Sequence, residues 1–228
     1  MATIEPTART KVQRKAERAT YDRATMESIL DAAPICHIGF VSEGQPYVIP
    51  TIHARVGERI FVHGARANRT LAAMRAGAPL CLTATILDGL VLARSAFHHS
   101  MNYRSVVVLG RAVELVEIEE KRAALEAIVE HVLPGRSREV RAPSEKELRA
   151  TAVFALPLEE ASAKIRTGGP VDAAEDMRLG CWAGVVPLEL CALAPVADEA
   201  LADGIPLSAA VAALIGEEAM EASVAASD

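Results

Sequence analysis

The fold is decided by the stretch Pro79–Gly110, which reads PLCLTATILDGLVLARSAFHHSMNYRSVVVLG. It opens with a near-continuous apolar run, Pro79–Leu87, and Asp88-Gly89 follows as a typical two-residue hairpin turn. Leu90–Phe97 is then predicted to return as the partner strand. The next predicted strand, Tyr103–Val116, is the longest, and the glycine at position 110 inside it indicates a bulge or a close backbone approach. The stretch therefore predicts a hairpin followed by a long strand at the centre of a β protein.

Short strands and amphipathic helices flank this stretch. Asp22 is predicted to cap a helix that runs to about Ala33, because Met26, Ile29 and Leu30 lie on one apolar face. Further strands are predicted at Ile35–Val41, Pro46–Arg55, Ile60–His63, Val153–Leu156, Ala161–Arg166 and Trp182–Cys191, and further helices at Arg69–Ala76, Glu119–Val132 and Ser144–Ala150. The predicted fold class is mainly β with flanking helices, as a barrel of about seven or eight strands.

The chain is predicted to divide into three segments. Residues 1–20 form a flexible basic arm, residues 21–193 the barrel domain, and residues 194–228 an alanine-rich extension outside the barrel. The arm has no apolar stretch behind its basic residues, which argues against a secretory signal. No apolar run reaches the roughly 18–20 residues of a membrane helix. We therefore expect a soluble, cytoplasmic protein.

Charge and cysteine pattern argue against several classes of partner. The net charge of −6 gives no overall attraction to nucleic acid or anionic lipid, so an anionic ligand needs a local basic cluster. The four cysteines form no C-x-x-C pair, and each lies in an apolar stretch: Cys36, Cys81, Cys181 and Cys191. Buried thiols in a reducing cytoplasm explain them better than a metal site or disulfides.

One polar group comprises His53 and the run His63–Thr70, which is predicted to form a strand end, a loop and a helix start. Arg66 and Arg69 are placed where the free N–H groups of a helix N-terminus also point, and a guanidinium binds two phosphate oxygens at once. A pair of solvated surface arginines is the alternative, and composition alone favours it. Neither G-x-x-x-x-G-K-[ST] nor G-x-G-x-x-G occurs, so the usual nucleotide fingerprints are absent.

A second polar group, Arg94–Ser105, is predicted to be a functional loop between two apolar strands. His98 and His99 would point to opposite faces of an extended chain, so no metal site is predicted. Neither group contains a nucleophile motif or a carboxylate pair, which argues against a hydrolase. The single tryptophan, Trp182, is either a core or interface anchor or a planar contact for a flavin ring.

The size of the barrel favours a ligand site on its outside. A small barrel fills its interior with its own side chains, so a sizeable ligand must lie in an external groove. Such a groove is shallow, and a second subunit is the simplest way to bury most of a cofactor in it. We therefore expect a homodimer.

Several motifs resemble the pyridoxamine 5′-phosphate oxidase-like superfamily, whose fold is the FMN-binding split β-barrel. They are Ile38–Thr51 with its Gly-Gln-Pro-Tyr turn, Phe61-Val62-His63-Gly64, the run from His98 to Gly110, and Leu133-Pro134-Gly135-Arg136. Together they are similar to its nitroimidazole-resistance branch. The resemblance extends from about Glu17 to Leu190, and Asn102–Val108 with the trailing Gly110 is its most specific part.

The resemblance implies a homodimer with FMN at the subunit interface. It places Arg69 on the phosphate, His63 in an active-site role, and Trp182 beside the ring, from the same chain or from the partner subunit. The predicted cofactor-binding residues are Tyr47, Val48, Ile49, Pro50, Thr51, Val62, His63, Arg66, Asn68, Arg69, His99, Ser100, Tyr103, Arg104, Ser105 and Trp182.

One departure from the family pattern concerns vitamin B6. True pyridoxamine phosphate oxidases follow their late tryptophan with an Arg-x-His element that reads the phosphate and ring of the vitamin. Here Trp182 is followed by Ala183-Gly184-Val185-Val186-Pro187, without Arg or His. Oxidation of vitamin B6 is therefore not expected.

Three functions are compatible with these residues. The leading hypothesis is an FMN-dependent oxidoreductase that reduces a small, electron-poor substrate such as a nitroimidazole, with His63 as the proton donor. The alternative is a non-catalytic protein that sequesters a flavin or a haem, with His63, His98 or His99 as an axial iron ligand. The third is a scaffold with an empty groove that serves as an interaction module.

Overall fold

The computed structural model of the chain describes residues 2–215. Its helices are α1 (Arg23–Ala32), α2 (Arg69–Arg75), α3 (Ile118–Val132) and α4 (Glu145–Ala150). Its strands are β1 (Ala19–Thr20), β2 (Cys36–Ser42), β3 (Gln45–Thr51), β4 (Ala54–Val56), β5 (Arg59–Ala65), β6 (Leu80–Leu92), β7 (Ser100–Gly110), β8 (Val113–Glu114), β9 (Thr151–Pro157), β10 (Glu160–Arg166) and β11 (Gly184–Pro187). Residues 209–215 are also helical, and the rest of the predicted extension, 216–228, lies outside the described residues.

Two antiparallel sheets enclose the main core. One sheet has the strand order β1-β10-β7-β6-β2-β3, with β11 also paired to β6, and the other has the order β4-β5-β9-β8. The side chains between them are almost wholly apolar and include Ile38, Ile60, Val62, Leu82, Val106, Phe154 and Leu156. A second apolar cluster fills the outer face of the smaller sheet beneath α3. The predicted mainly-β fold with flanking helices is confirmed.

The predicted Asp88-Gly89 hairpin is wrong, because β6 runs straight through it. Strand β6 pairs with β7 along most of its length, and the register shifts between Leu87 and Gly89. A Cβ at Gly89 would lie 2.9 Å from the carbonyl oxygen of Val186, so the missing side chain lets β11 pair closely with β6 here. The Asp-Gly pair therefore marks a bulge, beside the end of the paired strand β11, instead of a turn.

The strand predicted over Pro46–Arg55 is broken at residues 52–53. Its first part, β3, belongs to the larger sheet and its second part, β4, to the smaller one. His53 lies at the crossing with no exposed surface, and its Nε2 is 2.9 Å from the carbonyl oxygen of Leu30 near the end of α1. A buried imidazole with a backbone partner thus anchors the point where the chain changes sheets.

The helices follow the predicted pattern. Asp22 caps α1 by accepting the N–H of Thr25 at 2.9 Å, and Met26, Ile29 and Leu30 are fully buried. Helix α3 packs against the smaller sheet, and Ser144 caps α4 in a capping box with Glu147. Within residues 2–215, no helix is both long enough and apolar enough to cross a bilayer.

The N-terminal residues lie along the barrel, whereas the sequence predicts a flexible arm. Ile4 is only 4% exposed and belongs to the main core cluster, and its N–H donates to the carbonyl oxygen of Tyr21 at 2.9 Å. Arg9 forms an ion pair with Glu160 at the start of β10. Ile4 is the apolar side chain that holds this segment against the barrel. A single apolar residue among basic ones gave no sequence signal of this contact.

Candidate functional site

The side chains on the two faces of strand β5 pack into different apolar clusters. Ile60 and Val62 point into the main core, whereas Phe61 belongs to the cluster beneath α3. Because side chains alternate along a strand, His63 lies on the same face as Phe61. Its partner across the ladder, Val153 on β9, also belongs to that cluster. The His63 ring is therefore outside the main core, towards α3.

A small hollow, which we call the β3–β5 hollow, brings together several of the predicted cofactor-binding residues. It has a volume of about 80 Å³. Its walls are Ile38, Ile49, Pro50, Thr51, Val62, His63, Asn68, Thr70 and Leu71, six of which are in the predicted set. Ligand pockets usually have volumes of about 300–1,000 Å³. The hollow can thus receive part of a flavin but cannot enclose one by itself.

The predicted phosphate group lies beside this hollow. The Arg69 guanidinium stacks over the Tyr47 ring, 4.8 Å from its centroid, and Arg69 lies in the chain between the lining residues Asn68 and Thr70. Val48, between Tyr47 and the hollow, is 65% exposed. These three residues leave a planar, cationic and apolar surface next to the hollow.

Arg66 differs from Arg69 because a carboxylate lies beside it. Its guanidinium is 4.0 Å from the carboxylate of Glu114, which Arg75 already holds in two short contacts of 2.7 and 2.9 Å. Asn68 caps α2, because its Oδ1 accepts the N–H of Thr70 at 2.8 Å. Arg69 is consequently the arginine of this group that makes no ion pair among the described residues.

His63 is the chemically most versatile side chain here. Its Nδ1 is buried and has no hydrogen-bond partner among the described residues. Burial lowers the pKa of the His63 imidazole below its ordinary value. The ring is therefore neutral at pH 7, and one of its two nitrogens carries a lone pair that can accept a proton.

A much larger cavity, which we call the α3 cleft, opens on the other side of His63. It has a volume of about 950 Å³ and lies between α3, the smaller sheet and the 136–143 connection. Its walls are Ile52, His63, Arg122, Leu125, Glu126, Ile128, Val129, Val132, Leu133, Arg136, Ser137, Val140, Arg141, Ala142, Pro143, Glu147 and Thr151. Sequence reasoning missed it. The only signal was the width of the apolar face of α3, which exceeds what the sheet covers.

The second polar group, Arg94–Ser105, is predicted to be a functional loop, and its structure is different. The expected loop is only a short 3-10 turn, Ala96–His98, and positions 100–105 belong to β7. Arg104 forms an ion pair with Asp88 at 2.7 Å, and the Ser105 hydroxyl donates to the carbonyl oxygen of Lys164 at 3.3 Å. Neither cavity is lined by the predicted residues of this group, which are His99, Ser100, Tyr103, Arg104 and Ser105.

Trp182 also lies away from both cavities of its own chain. Its side chain is 66% exposed, just before β11, and a Cβ at Gly184 would lie 2.9 Å from its ring. The glycine therefore lets the indole fold back over the chain. The ring face is left open, and its predicted place beside a flavin of the partner subunit stays a prediction.

Comparison with known proteins gives consistent likenesses. A family model described as pyridoxamine 5′-phosphate oxidase matches residues 22–165. The flavocytochrome Anf3 from Azotobacter vinelandii is 39% identical, with a TM-score of 0.86, over 92% of this chain and 99% of that one. The FAD and haem binding protein from Mycobacterium smegmatis is 36% identical, with a TM-score of 0.83, over 87% of this chain and 98% of that one.

A more distant likeness shows the fold alone. A Bacteroides thetaiotaomicron protein described in terms of 5-nitroimidazole antibiotic resistance is 24% identical, with a TM-score of 0.55, over 64% of this chain and 86% of that one. No curated protein sequence matches this chain significantly. The two nearer likenesses extend over almost the whole described chain.

Proposed function

Because this chain belongs to the pyridoxamine 5′-phosphate oxidase family, we propose that it binds a flavin at the β3–β5 hollow and uses it as an oxidoreductase. The observation that carries the proposal is the convergence of six predicted cofactor-binding residues on that hollow, with Arg69 beside it. The flavin supplies the hydride and electron chemistry when bound. The residues of the chain supply orientation, charge and protons.

Arg69 is the proposed phosphate ligand. Its guanidinium is held over the Tyr47 ring, so the planar fork is already oriented and makes no ion pair within the described residues. The proposed contacts of the isoalloxazine edge are Thr51 and the β5 backbone next to His63, which both lie at the hollow. Sequence resemblance favours FMN, whereas the mycobacterial relative is an FAD and haem binding protein. The released cofactor decides between the two flavins.

The proposed substrates are small, electron-poor molecules such as nitroimidazoles, with His63 supplying a proton. Burial lowers its pKa, so the imidazolium form becomes common only at a lower pH than for an ordinary histidine. If His63 donates as imidazolium, turnover should rise as the pH falls towards its pKa. Vitamin B6 oxidation stays disfavoured, because Ala183 and the β11 residues replace the Arg-x-His element.

A homodimer is proposed as the form that completes the flavin site. The hollow of about 80 Å³ is too small for a flavin, and Val48 beside it is highly exposed. A second copy would cover this surface, and the exposed Trp182 ring of that copy is a suitable cover.

The test is a visible spectrum of the purified protein, with the released cofactor identified by mass. A two-band yellow spectrum with FMN or FAD supports the proposal, and a protein that neither retains nor takes up a flavin contradicts it. Arg69→Gln is expected to weaken flavin binding at least tenfold, which corresponds to about 1.4 kcal/mol. Arg59→Gln, at the opposite end of β5, is the matched control and should bind flavin normally.

A separate experiment tests the role of His63 in turnover. The reduction of a nitroimidazole by the His63→Ala variant is followed at full flavin occupancy, from pH 5 to pH 8. We expect turnover to fall about 10²–10⁴-fold and to lose its rise at acidic pH. Unchanged turnover would remove His63 from the mechanism.

Haem binding is a second candidate function. Two relatives at 36–39% identity are a flavocytochrome and an FAD and haem binding protein. The α3 cleft is the structural feature that favours it, since its apolar walls and volume suit a large cofactor. Such a protein would hold a flavin and a haem together.

A further inference from the structure

We propose that residues 188–207 pack on a second copy of this chain, against its basic residues Lys11, Arg14 and Lys15. We call the first segment the strap and the three cations the basic ridge. The inference rests on the proposed homodimer and names the segments through which its two copies hold each other. It is independent of the identity of the flavin and of its substrate.

The strap is a long connection that makes little contact with its own chain. It contains two turns but no helix or strand, and its side chains are exposed except for those of Ala192 and Pro195, which are half-buried. Both of its ends are held. Strand β11, just before it, pairs with β6, and just after it the N–H of Ala210 donates to the Glu139 carboxylate at 3.0 Å. Connections of more than about 12–15 residues without secondary structure are uncommon in compact domains, and an ordered one is usually functional.

Large apolar side chains follow one another along the strap. Leu190 is 85% exposed and Val196 is 95% exposed, and the others that are exposed are Leu188, Leu193, Leu201, Ile205 and Leu207. A large exposed apolar surface marks a contact with another molecule. A stable protein–protein interface takes about 20–30 residues from each partner, and the strap is a segment of that length. The strap therefore has the size and the composition of one side of a dimer interface.

The charge of the strap indicates what kind of surface it meets. It has no lysine, arginine or histidine, and it carries four carboxylates: Glu189, Asp198, Glu199 and Asp203. All four side chains are exposed, and none forms an ion pair within residues 2–215. Opposite charges steer two surfaces together and fix their register. We therefore expect the strap to meet a basic surface.

The basic ridge is such a surface, and its backbone is held in place. The N–H of Val12 donates to the Tyr21 hydroxyl at 2.9 Å, and Lys164 Nζ donates to the carbonyl oxygen of Arg14 at 3.1 Å. The three cations are exposed, and no carboxylate of the described part of the chain pairs with them. They occupy five consecutive positions, which matches the short spacing of the three carboxylates at 198–203.

Each copy of the chain carries both surfaces, which suits a symmetric dimer. Within one chain the strap and the basic ridge form no ion pair with each other, although both segments are anchored on the barrel. Contact between them is therefore left to two copies. A two-fold axis makes this contact twice, with the strap of each copy on the ridge of the other.

Charge reversal tests this contact by sedimentation equilibrium of the purified protein. The strap variant Asp198→Lys/Glu199→Lys/Asp203→Lys and the ridge variant Lys11→Glu/Arg14→Glu/Lys15→Glu should each raise the dissociation constant of the dimer at least tenfold. An equimolar mixture of the two variants should form a heterodimer, because both contacts then join opposite charges again. Misfolded variants would not regain dimerisation in this way. The control Glu119→Lys/Glu145→Lys/Glu159→Lys reverses as many exposed charges outside the strap and should dimerise as wild type.

Cross-linking tests which chain the strap touches. Wild-type protein labelled with ¹⁵N is mixed with unlabelled protein, and subunit exchange is checked by native mass spectrometry. A carbodiimide is then added, which joins a carboxylate to a neighbouring amine with loss of water. We expect light–heavy peptide pairs that link residues 198–203 to Lys11 or Lys15. Pairs of equal label only would show that the strap lies on its own chain, and would overturn the inference.

A third set of variants tests the apolar part of the contact. Leu190→Ser/Leu193→Ser/Val196→Ser should also raise the dissociation constant of the dimer at least tenfold. The matched control changes three exposed valines on or next to the smaller sheet, Val56→Ser/Val113→Ser/Val116→Ser, and should dimerise as wild type.

The outcomes separate this inference from the proposed function. A dimer that keeps its wild-type dissociation constant in the strap and ridge variants overturns only the inference. A wild-type protein that is monomeric at every concentration overturns both the inference and the proposed homodimer. A wild-type dimer that needs the strap but holds no flavin supports the inference and contradicts the flavin proposal.

Discussion

His53 and His63 are ten residues apart, and their surroundings make them chemically different. The His53 ring has no exposed surface and lies 4.6 Å from the His131 ring, with Nε2 against the Leu30 carbonyl. Burial, and secondarily the charge of His131, lowers the pKa of His53 to about 4. The His63 side chain lines two cavities, and its buried Nδ1 has no hydrogen-bond partner among the described residues. The first residue stabilises the crossing between sheets, and the second is available for chemistry.

The buried His53 predicts a loss of stability in mild acid. Its pKa is about 4 in the folded protein, against about 6.5 in the unfolded chain, so the unfolded chain binds more protons between these values. The contribution of neutral His53 is full above pH 6.5 and is lost as the pH falls towards 4. The full loss is roughly 3 kcal/mol.

Urea unfolding from pH 4 to pH 7.5 measures this effect. His53→Gln, whose amide can still donate to the Leu30 carbonyl, should show a flatter dependence of the free energy of unfolding on pH. An equally steep dependence in this variant would place the titrating group elsewhere.

At the scale of elements, the Asn68 cap links the stability of α2 to the β3–β5 hollow. Its Oδ1 accepts from Thr70 and Leu71, and its side chain lines the hollow. Asn68→Ala should lower the free energy of unfolding by about 1 kcal/mol, because two N–H groups lose their acceptor. Asn68→Asp should keep this stability but weaken flavin binding, since it adds a negative charge near the proposed phosphate position. Chemical unfolding and flavin titration measure the two effects, and equal stability of both variants would contradict the capping role.

The pairing of β11 with β6 depends on the absence of a side chain at Gly89. A methyl group there would lie 2.9 Å from a backbone oxygen, so Gly89→Ala should cost about 1–3 kcal/mol and loosen β11. Amide hydrogen exchange at Gly184, Val185 and Val186 measures the loosening. Gly169→Ala is the matched control, because nothing lies within 4 Å of its Cβ position. Amide protection at residues 184–186 that is unchanged by Gly89→Ala would show that β11 does not depend on this close approach.

The elements with local signals were predictable, and those that depend on the other sheet were not. Asp22 and Ser144 predict where α1 and α4 begin, because a cap acts within one turn of its helix. Asp88-Gly89 carries a local turn signal, but it lies inside β6, which pairs there with β7 and with β11, about a hundred residues later in the chain. The break after Thr51 likewise depends on which sheet receives each half of the segment.

The two cavities also differ in how far the sequence could predict them. The β3–β5 hollow uses residues from one continuous stretch of about 35 residues, Ile38 to Leu71, so resemblance of motifs could identify most of it. The α3 cleft is assembled from parts distant in sequence, such as Ile52, Arg122 and Thr151. In the sequence, each of these residues can be explained as an ordinary core or surface residue. Only the packing of α3 on the smaller sheet makes them one cavity.

At the scale of the whole molecule, the single tryptophan reports on assembly. Trp182 is 66% exposed in one chain, so its emission should shift to shorter wavelength if a second copy covers it. We expect light scattering to give twice the chain mass of 24.2 kDa, with the emission shift following the same concentration dependence. A monomer at every concentration would contradict the proposed homodimer.

The free edge of β3 limits how that second copy can approach. Pro46 and Pro50 have no backbone N–H, and proline in a sheet is confined to edges where its nitrogen faces solvent. Positions 46, 48 and 50 share one direction along the strand, so Val48 is the donor left between the two prolines. Another strand has too few donors to continue the ladder. The larger sheet is thereby protected from open-ended strand polymerisation, and a partner must meet this edge through side chains.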